Sequence, residues 1–218
     1  MIGIVLPTRG LLFTQVIEAL ERERQGFDTK IYYSHDLPIP DGHNKLVKQA
    51  LEDGVTHVWM VEEDTVPITG ALEKLLACDT AIACVDYGVS GWGCVTRNKN
   101  NEILWCGVGC TLIKKEVFEK MEYPYFRVDK VLSLNDWTWK QLPEDYVKNK
   151  NYGTLDIYFC CKARELGFEI KQVEGECNHL ELKELGRRGV NNGLHNIEIR
   201  PKINRKQIVN QGKNPDYV

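Results

Sequence analysis

Hydrophobic positions fall along the chain in two alternating rhythms. Ile2, Ile4, Val5 and Leu6 form a short, nearly continuous apolar run closed by Pro7, the pattern of a strand covered on both faces. Leu12, Phe13, Val16, Ile17 and Leu20 then recur at helical spacing, with Glu18, Glu21, Arg22 and Arg24 opposite them and Gly26 as a stop. The alternation repeats. A strand over 30–34 leads to a helix N-capped by Asp41, with Leu46, Val47, Ala50 and Leu51 inward and Gly54 as its stop. A strand over 55–61, a helix marked by Leu72, Leu75 and Leu76, and a strand over 81–85 follow. This order predicts an α/β domain with a mostly parallel central sheet, right-handed crossovers and helices on both faces. Ligands of such sheets gather at the carboxyl ends of the strands.

After Val85 the rhythm changes. Residues 86–101, rich in Gly and Asn and carrying Trp92, predict a loop or hairpin over the sheet. A single strand is expected over 103–113, where Gly107 and Gly109 would let a ligand come close to the backbone. A short helix near 115–121, a long irregular segment over 124–151, a helix over 154–166 closed by Gly167, and a strand over 168–173 complete the pattern. Residues 175–218 are weakly periodic and gather Arg187, Arg188, Arg200, Lys202, Arg205 and Lys206. The chain therefore divides into one domain over 1–182 and an irregular C-terminal extension over 183–218.

Composition narrows the partners. A chain of 218 residues suits one large domain, and 43% hydrophobic with 27% charged residues is the make-up of an ordinary globule. With a net charge of -3 there is no global attraction to nucleic acid or anionic lipid, so any site for a polyanion must be local. No stretch is apolar enough to span a bilayer, and Pro7 comes too soon for a signal-peptide core, which sets the expectation of a cytoplasmic protein. The 8 cysteines form no Cys-x-x-Cys pair and are expected as reduced core thiols.

Chemistry concentrates where the strand over 55–61 runs into Glu62, Glu63 and Asp64 and stops at Pro67. If the extended conformation continues, Glu62 and Asp64 share one side and Glu63 faces away. Two carboxylates suit Mg²⁺ or Mn²⁺, which keep water and phosphate oxygens in their remaining positions, so the implied ligand is a diphosphate. A solvated acidic turn carries the same letters; the buried strand before it and Pro67 after it favour the cation. Pro7, Thr8 and Arg9 after the first strand and Asp36 after the second would lie along the same edge. Thr8 and Arg9 are placed to hydrogen-bond a nucleotide, Asp36 to accept from base or ribose, and Asn44 to orient the site. Each of these has an ordinary surface or turn role when taken singly, and only their convergence raises them. Trp92, Trp105, Trp137 and Trp139 are candidate stacking platforms or core anchors, Trp92 being the best site candidate.

Taken in order, these blocks resemble the GT-A glycosyltransferases of inverting family 2, particularly the short single-domain members that include bacteriophage-encoded ones. The likeness runs through Pro7-Thr8-Arg9, Asn44-Lys45-Leu46-Val47, Glu62-Glu63-Asp64, Gly107-Val108-Gly109, Leu155-Asp156-Ile157 and Cys177-Asn178-His179. The resemblance implies a single GT-A, Rossmann-like domain, a nucleotide-diphosphate sugar donor and a divalent metal, Mn²⁺ or Mg²⁺, on its phosphates. Asp64 matches the most dependable acid of the family's metal motif, and Glu62 departs from it in residue type. His179 matches a late histidine that completes the metal shell, which favours Mn²⁺. Asp156 matches the general base, here preceded by Leu155 where relatives often carry Glu; Glu144 and Asp145 are the reserve. Structure alone also accounts for an acid at a helix start. The acceptor hydroxyl would belong to a saccharide or to a hydroxymethylated base in phage DNA, with the C-terminal extension packing on the domain or contacting that acceptor. A catalytically silent nucleotide-sugar or saccharide-binding module is the alternative. A nucleotidyltransferase is disfavoured, because Arg9-Gly10 is too little of a phosphate loop.

Overall fold

A computed structural model describes residues 1–8, 10–34, 40–89, 92–132, 139–141, 155–184 and 197–201. Its first half alternates as the sequence predicts: β1 (Ile2–Pro7), α1 (Thr14–Glu23), β2 (Thr29–Ser34), α2 (Asp41–Glu52), β3 (His57–Val61), the two-residue β4 (Thr65–Val66), α3 (Ala71–Ala77) and β5 (Ile82–Val89). The second half adds β6 (Trp92–Gly93), β7 (Thr96–Arg97), β8 (Ile103–Trp105), β9 (Cys110–Lys114), α4 (Lys115–Lys120), β10 (Lys130–Leu132), β11 (Trp139–Gln141), α5 (Leu155–Glu165), β12 (Ile170–Glu184) and β13 (Ile197–Pro201). The central sheet has the order β13-β12-β5-β9-β3-β1-β2. Strands β1, β2, β3, β5 and β12 run one way; β9, between β3 and β5, and β13 at the edge run the other.

The two-residue period of the strands builds two cores, one on each face. Ile4, Leu6, Trp59 and Val61 point toward α1 and α3, where Val16, Leu20, Leu72 and Leu75 meet them. Val5, Val58 and Met60 point the other way, onto Leu46, Val47 and Ala50 of α2, Val117 and Phe118 of α4, and Phe159 of α5. Nearly continuous apolar strands are the consequence of burial on both faces. Gly3 lets α2 pack close, since a side chain there would lie 3.1 Å from Ala50 Cβ and 3.1 Å from Val55 Cγ1. Gly26, Gly54 and Gly167 follow their helices at φ of 83°, 79° and 86°, the left-handed stop expected of them. Among the described residues no helix is long and apolar enough to cross a membrane.

Four expectations need correction. The strand expected over 103–113 is two: β8 pairs with β7 in a separate two-stranded sheet, and β9 enters the central sheet, the break falling at 106–109. The last strand does not stop at 173 but runs on as β12 through a bulge between Val173 and Glu176, because β5, β4 and β13 each supply it with backbone partners. Asp41 lies in the first turn of α2 and gives no side-chain cap, Pro40 holding the cap position. On α1 the inward face is Val16, Ala19, Leu20 and Glu23, while Ile17 is left 38% exposed.

Glu23 is buried for a reason the pattern conceals. Its Oε1 pairs with Arg22 Nε at 2.9 Å and accepts from Gly70 N–H at 3.1 Å, and its Oε2 accepts from Leu72 N–H at 3.4 Å. A carboxylate from α1 thus satisfies the open donors at the start of α3. His43 is the opposite case. It is fully buried against the Phe126 ring, 5.5 Å between centroids, and neither ring nitrogen has a partner. Burial pushes its pKa down to about 3. The folded-state value is depressed, so this contribution to stability is complete above the unfolded value near 6.5 and is lost as pH falls toward about 3. Between those limits the wild-type protein should lose up to ~1.4 kcal/mol per pH unit from this residue. Denaturant unfolding of wild type and His43→Leu from pH 6.5 to 4 reads it: wild type should lose stability relative to His43→Leu as pH falls, and parallel curves would show that His43 does not titrate on unfolding.

Candidate active site

The acids at the end of β3 are arranged by a turn. Glu62 N–H donates to Gly109 O at 3.2 Å, extending the β3–β9 ladder by one bond, and Thr65 N–H then donates to Glu62 O at 3.1 Å. The extended conformation therefore ends at Val61, and the expected alternation of sides does not apply to the acids. Beyond the turn, β4 pairs antiparallel with β12, Thr65 opposite His179 and Val66 opposite Asn178. Leu180 N–H donates to Asp64 O at 2.7 Å, locking the turn against β12. This brings one ligand atom each from Glu62, Asp64 and His179 within 4.8 Å of one another. Glu63 is buried and lies outside the cluster.

His179 is oriented to present an electron pair. Its Nδ1 lies 3.0 Å from Gly88 O, an atom that only accepts, so Nδ1 carries hydrogen. Nε2 then faces Asp64 Oδ1 at 3.1 Å. A cation placed between Nε2 and that carboxylate would be ligated by both. An imidazole fixed through Nδ1–H by a backbone carbonyl is the usual support of a metal-bound histidine. Two carboxylates and one imidazole suit Mn²⁺, so the residues fit the metal that the resemblance implies.

A second group of atoms closes around the turn between β8 and β9. Tyr87 is buried at the carboxyl end of β5, and its hydroxyl accepts from Gly109 N–H at 3.1 Å. A side chain on Gly107 would collide with that hydroxyl, and one on Gly109 would lie 2.8 Å from it, 2.8 Å from Thr65 Oγ1 and 2.9 Å from Glu62 Oε2. The groups that come close to these two glycines are thus the protein's own side chains, the Tyr87 hydroxyl foremost. Thr65 Oγ1 is buried without a hydrogen-bond partner. Gly107 O is taken by the Thr111 hydroxyl at 2.9 Å, which pins the turn from below.

Asp156, in the first turn of α5, faces the same place. Its Oδ1 is shut off from solvent and unpartnered. Burial, then the negative charge of Glu62, push its carboxyl well above the ordinary carboxylate range, and the Val108 N–H pulls the other way. Burial and the Glu62 charge likewise push the Tyr87 phenol up. Glu62, Tyr87 and Asp156 therefore share one electrostatic environment.

Of the remaining candidates, Pro7 ends β1 opposite Ser34, and Thr8 N–H donates to Ser34 O at 2.9 Å while its hydroxyl accepts from Gly10 N–H at 3.1 Å. The Asn44 amide is engaged at both ends by one residue, donating to Phe126 O at 2.9 Å and accepting from Phe126 N–H at 3.0 Å. Phe126 stacks on Phe159 of α5 at 5.0 Å, so Asn44 supports the helix that carries Asp156. Trp105 is half-buried against the core. Arg9, Asp36, Glu144, Asp145, Trp137 and the side chains of Trp92 and Trp139 lie outside the described residues. Tyr87 and Thr65 were not anticipated; the available signal was a polar-tipped aromatic closing a buried strand on the edge where the other strand ends gather.

The chain thus has a mixed α/β fold with acids, a histidine and a half-buried aspartate at one end of its sheet. It matches no protein-family model and no curated protein. Among solved structures it is similar to A197 from STIV, with a TM-score of 0.56 and 17% identity over 82% of this chain and 84% of that one, which shows a shared fold. Two others lie further away. A glycosyltransferase involved in glycosylating the major capsid of PBCV-1 gives a TM-score of 0.35 and 14% identity over 57% and 69% of the two chains. A candidate nucleotide-diphospho-sugar transferase from Desulfovibrio desulfuricans G20 gives 0.38 and 13% over 79% of each. At those scores neither bears on this chain's function.

The cluster makes a direct prediction. Mn²⁺ at a hundredfold excess over its dissociation constant should stabilise the protein by ~2.7 kcal/mol. For a domain of this size that raises the melting midpoint by roughly 5–10 °C. Asp64→Asn and His179→Ala should lose most of the rise. A midpoint in wild type that ignores Mn²⁺, or variants that respond as wild type does, would leave the cluster a simple His–Asp ion pair.

Proposed function

We propose that this protein is a metal-dependent inverting glycosyltransferase, moving a sugar from a nucleotide-diphosphate sugar to an acceptor hydroxyl. The observation that carries the reading is the convergence, at the carboxyl ends of β3, β5 and β12, of a cation-sized Glu62, Asp64 and His179 cluster with the Asp156 carboxyl, whose pKa responds to the Glu62 charge. The ordered sequence blocks supply the reaction class.

Bound at that cluster, Mn²⁺ or Mg²⁺ would supply positive charge against the departing diphosphate. The rest belongs to the chain. Asp64, Glu62 and His179 Nε2 would hold the cation, against which the diphosphate would bind. Asp156 accepts the proton of the acceptor hydroxyl while that oxygen bonds to the anomeric carbon and the bond from that carbon to the diphosphate breaks. A carboxylate with raised basicity suits this task, because it takes up a proton more readily than an ordinary one. Burial first and the Glu62 charge second raise the Asp156 pKa, and engagement of Glu62 by a cation would relieve the second of these. Pro7 and Thr8, at the end of β1 on the same edge, would border the space for the nucleotide; Arg9 and Asp36, expected there from the sequence, lie outside the described residues.

The alternative of a silent nucleotide-sugar-binding module draws support from the same carboxyl, whose Oδ1 is removed from solvent. Turnover separates the two. Wild type should release nucleoside diphosphate from one member of a panel of nucleotide-diphosphate sugars when Mn²⁺ is present and not in EDTA; donor binding without release would favour the silent module. The acceptor would be a saccharide hydroxyl or a hydroxymethylated base in phage DNA. In the second case DNA affinity should fall steeply with salt, and salt-independent binding would remove it.

Asp156→Asn should cut turnover by ~10²–10⁴-fold. The same variant should melt higher than wild type in EDTA at pH 7. The folded-state pKa of Asp156 is raised, so the stability that its neutral form contributes is complete below the unfolded value near 3.9 and is lost as pH rises through the folded value. Asparagine escapes that loss. Normal turnover by a folded Asp156→Asn protein would remove Asp156 as the base.

A further inference from the structure

One side chain touches both halves of the site and has no part in the chemistry above. Tyr87 closes the buried end of β5, opposite Cys177 of β12, which places His179 two residues further along the neighbouring strand. The Tyr87 ring meets the imidazole of His179 edge-on, 5.3 Å between centroids at 65°. His179 Nδ1 is held by Gly88 O, the carbonyl next to Tyr87 in the chain. The imidazole is therefore fixed by a hydrogen bond from one side and an aromatic face or edge from another, and residues 87 and 88 supply both.

The hydroxyl end reaches the other half. It accepts the Gly109 N–H at 3.1 Å and fills the space that side chains on Gly107 and Gly109 would need. Between those glycines lies Val108, whose N–H is near enough to the Asp156 carboxyl to lower its pKa. Gly109 O in turn accepts from Glu62 N–H at 3.2 Å, at the start of the acidic turn. A turn containing two glycines has little conformational preference of its own, so its shape must be imposed by neighbours. Tyr87 Oη imposes it on the upper side and the Thr111 hydroxyl, bonded to Gly107 O, on the lower.

We propose that Tyr87 is a positioning residue that couples the metal-holding half of the site to the proton-accepting half: its ring sets the plane of His179, and its hydroxyl sets the 107–109 backbone that holds Asp156. This rests on the proposed function for its effect on turnover, and on the structure alone for its effect on metal affinity and on the Gly109 amide. The two ends can be removed separately. Tyr87→Phe deletes the hydroxyl and keeps the ring; Tyr87→Leu deletes both.

Three readouts on wild type and the two variants test the coupling: Mn²⁺ affinity by titration, hydrogen exchange at the Gly109 amide, and kcat and KM for donor turnover. Tyr87→Phe should bind Mn²⁺ within about threefold of wild type, exchange the Gly109 amide faster, and lose kcat about tenfold or more with KM little changed. Tyr87→Leu should in addition bind Mn²⁺ ~10–100-fold more weakly, the usual cost of losing the support of a metal ligand. Wild-type Mn²⁺ affinity in Tyr87→Leu, or an unchanged Gly109 exchange rate in Tyr87→Phe, overturns the coupling. If the wild-type protein binds Mn²⁺ and transfers no sugar, the proposed function fails while the affinity and exchange arms still decide whether Tyr87 positions the two halves. A wild-type protein that binds no Mn²⁺ overturns both. Tyr87→Phe is close in volume to the native residue and keeps the test open should Tyr87→Leu fail to fold.

Discussion

The site depends on the pairing of β4 with β12. A strand of two residues has no stability of its own and exists because a longer neighbour completes its hydrogen bonds. Thr65 lies opposite His179, and the Leu180 amide takes the carbonyl of Asp64 at 2.7 Å. Backbone groups removed from water must be paired, so this short ladder is obligatory once the sheet has formed. It also places an imidazole from late in the chain against carboxylates from its first third. Without the bulge between Val173 and Glu176 the register of β12 along β5 would continue unbroken, and His179 would meet a different residue of β4.

Around that ladder the protein gathers groups that repel or starve one another. Glu62 and Asp156 are close enough for the charge of one to raise the pKa of the other, Asp64 faces the Nε2 edge of His179, and Thr65 Oγ1 and Asp156 Oδ1 are buried without partners. The two unpartnered oxygens work against folding, since a buried polar atom without a hydrogen bond costs about 1–3 kcal/mol. Elsewhere the buried polar groups are largely provided for: Glu23 caps α3, Asn44 closes on Phe126, and Asp86 Oδ1 accepts from Tyr87 and Cys94 amides at 3.0 and 2.8 Å. The exceptions elsewhere among the described residues are Ser34 Oγ, Trp59 Nε1 and both ring nitrogens of His43, whose burial keeps the imidazole neutral at pH 7. What sets this sheet edge apart is the mutual influence of two carboxyls, Glu62 raising the pKa of Asp156.

The helix carrying Asp156 is held by side chains that a function-minded reading assigns elsewhere. Asn44, a natural candidate for ligand contact, spends both ends of its amide on Phe126, which stacks on Phe159. One turn beyond Asp156, the Cys160 thiol donates to Cys106 O at 3.4 Å, at the head of the glycine turn. Burial pushes that thiol well above its ordinary pKa, so it acts as a small packing group with a weak donor. The apolar face of α5 and the turn it supports are therefore one packed unit, with the Asp156 carboxyl at its polar margin.

The sequence by itself determined the alternation of β1 to β5 with α1 to α3, because burial on both faces demands apolar runs and helices demand a 3.6-residue period, both local signals. It also marked Glu62, Asp64, His179 and Asp156, three acids and a histidine whose residue types and order are visible as letters. What it could not determine was how they meet. The acids converge through a turn rather than a strand pleat, since the Thr65 amide finds Glu62 O and then β12; that choice depends on a partner strand far along the chain. The split of 103–113 into β8 and β9 escaped for the same reason, as did Glu23's cap on α3 and Asn44's clamp on Phe126, each made by a residue distant in sequence. Tyr87 was silent because a buried tyrosine at a strand end is ordinary until its hydroxyl is seen against Gly109 and its ring against His179. Local periodicity specified the elements, and only tertiary hydrogen bonding decided which polar atoms would face one another.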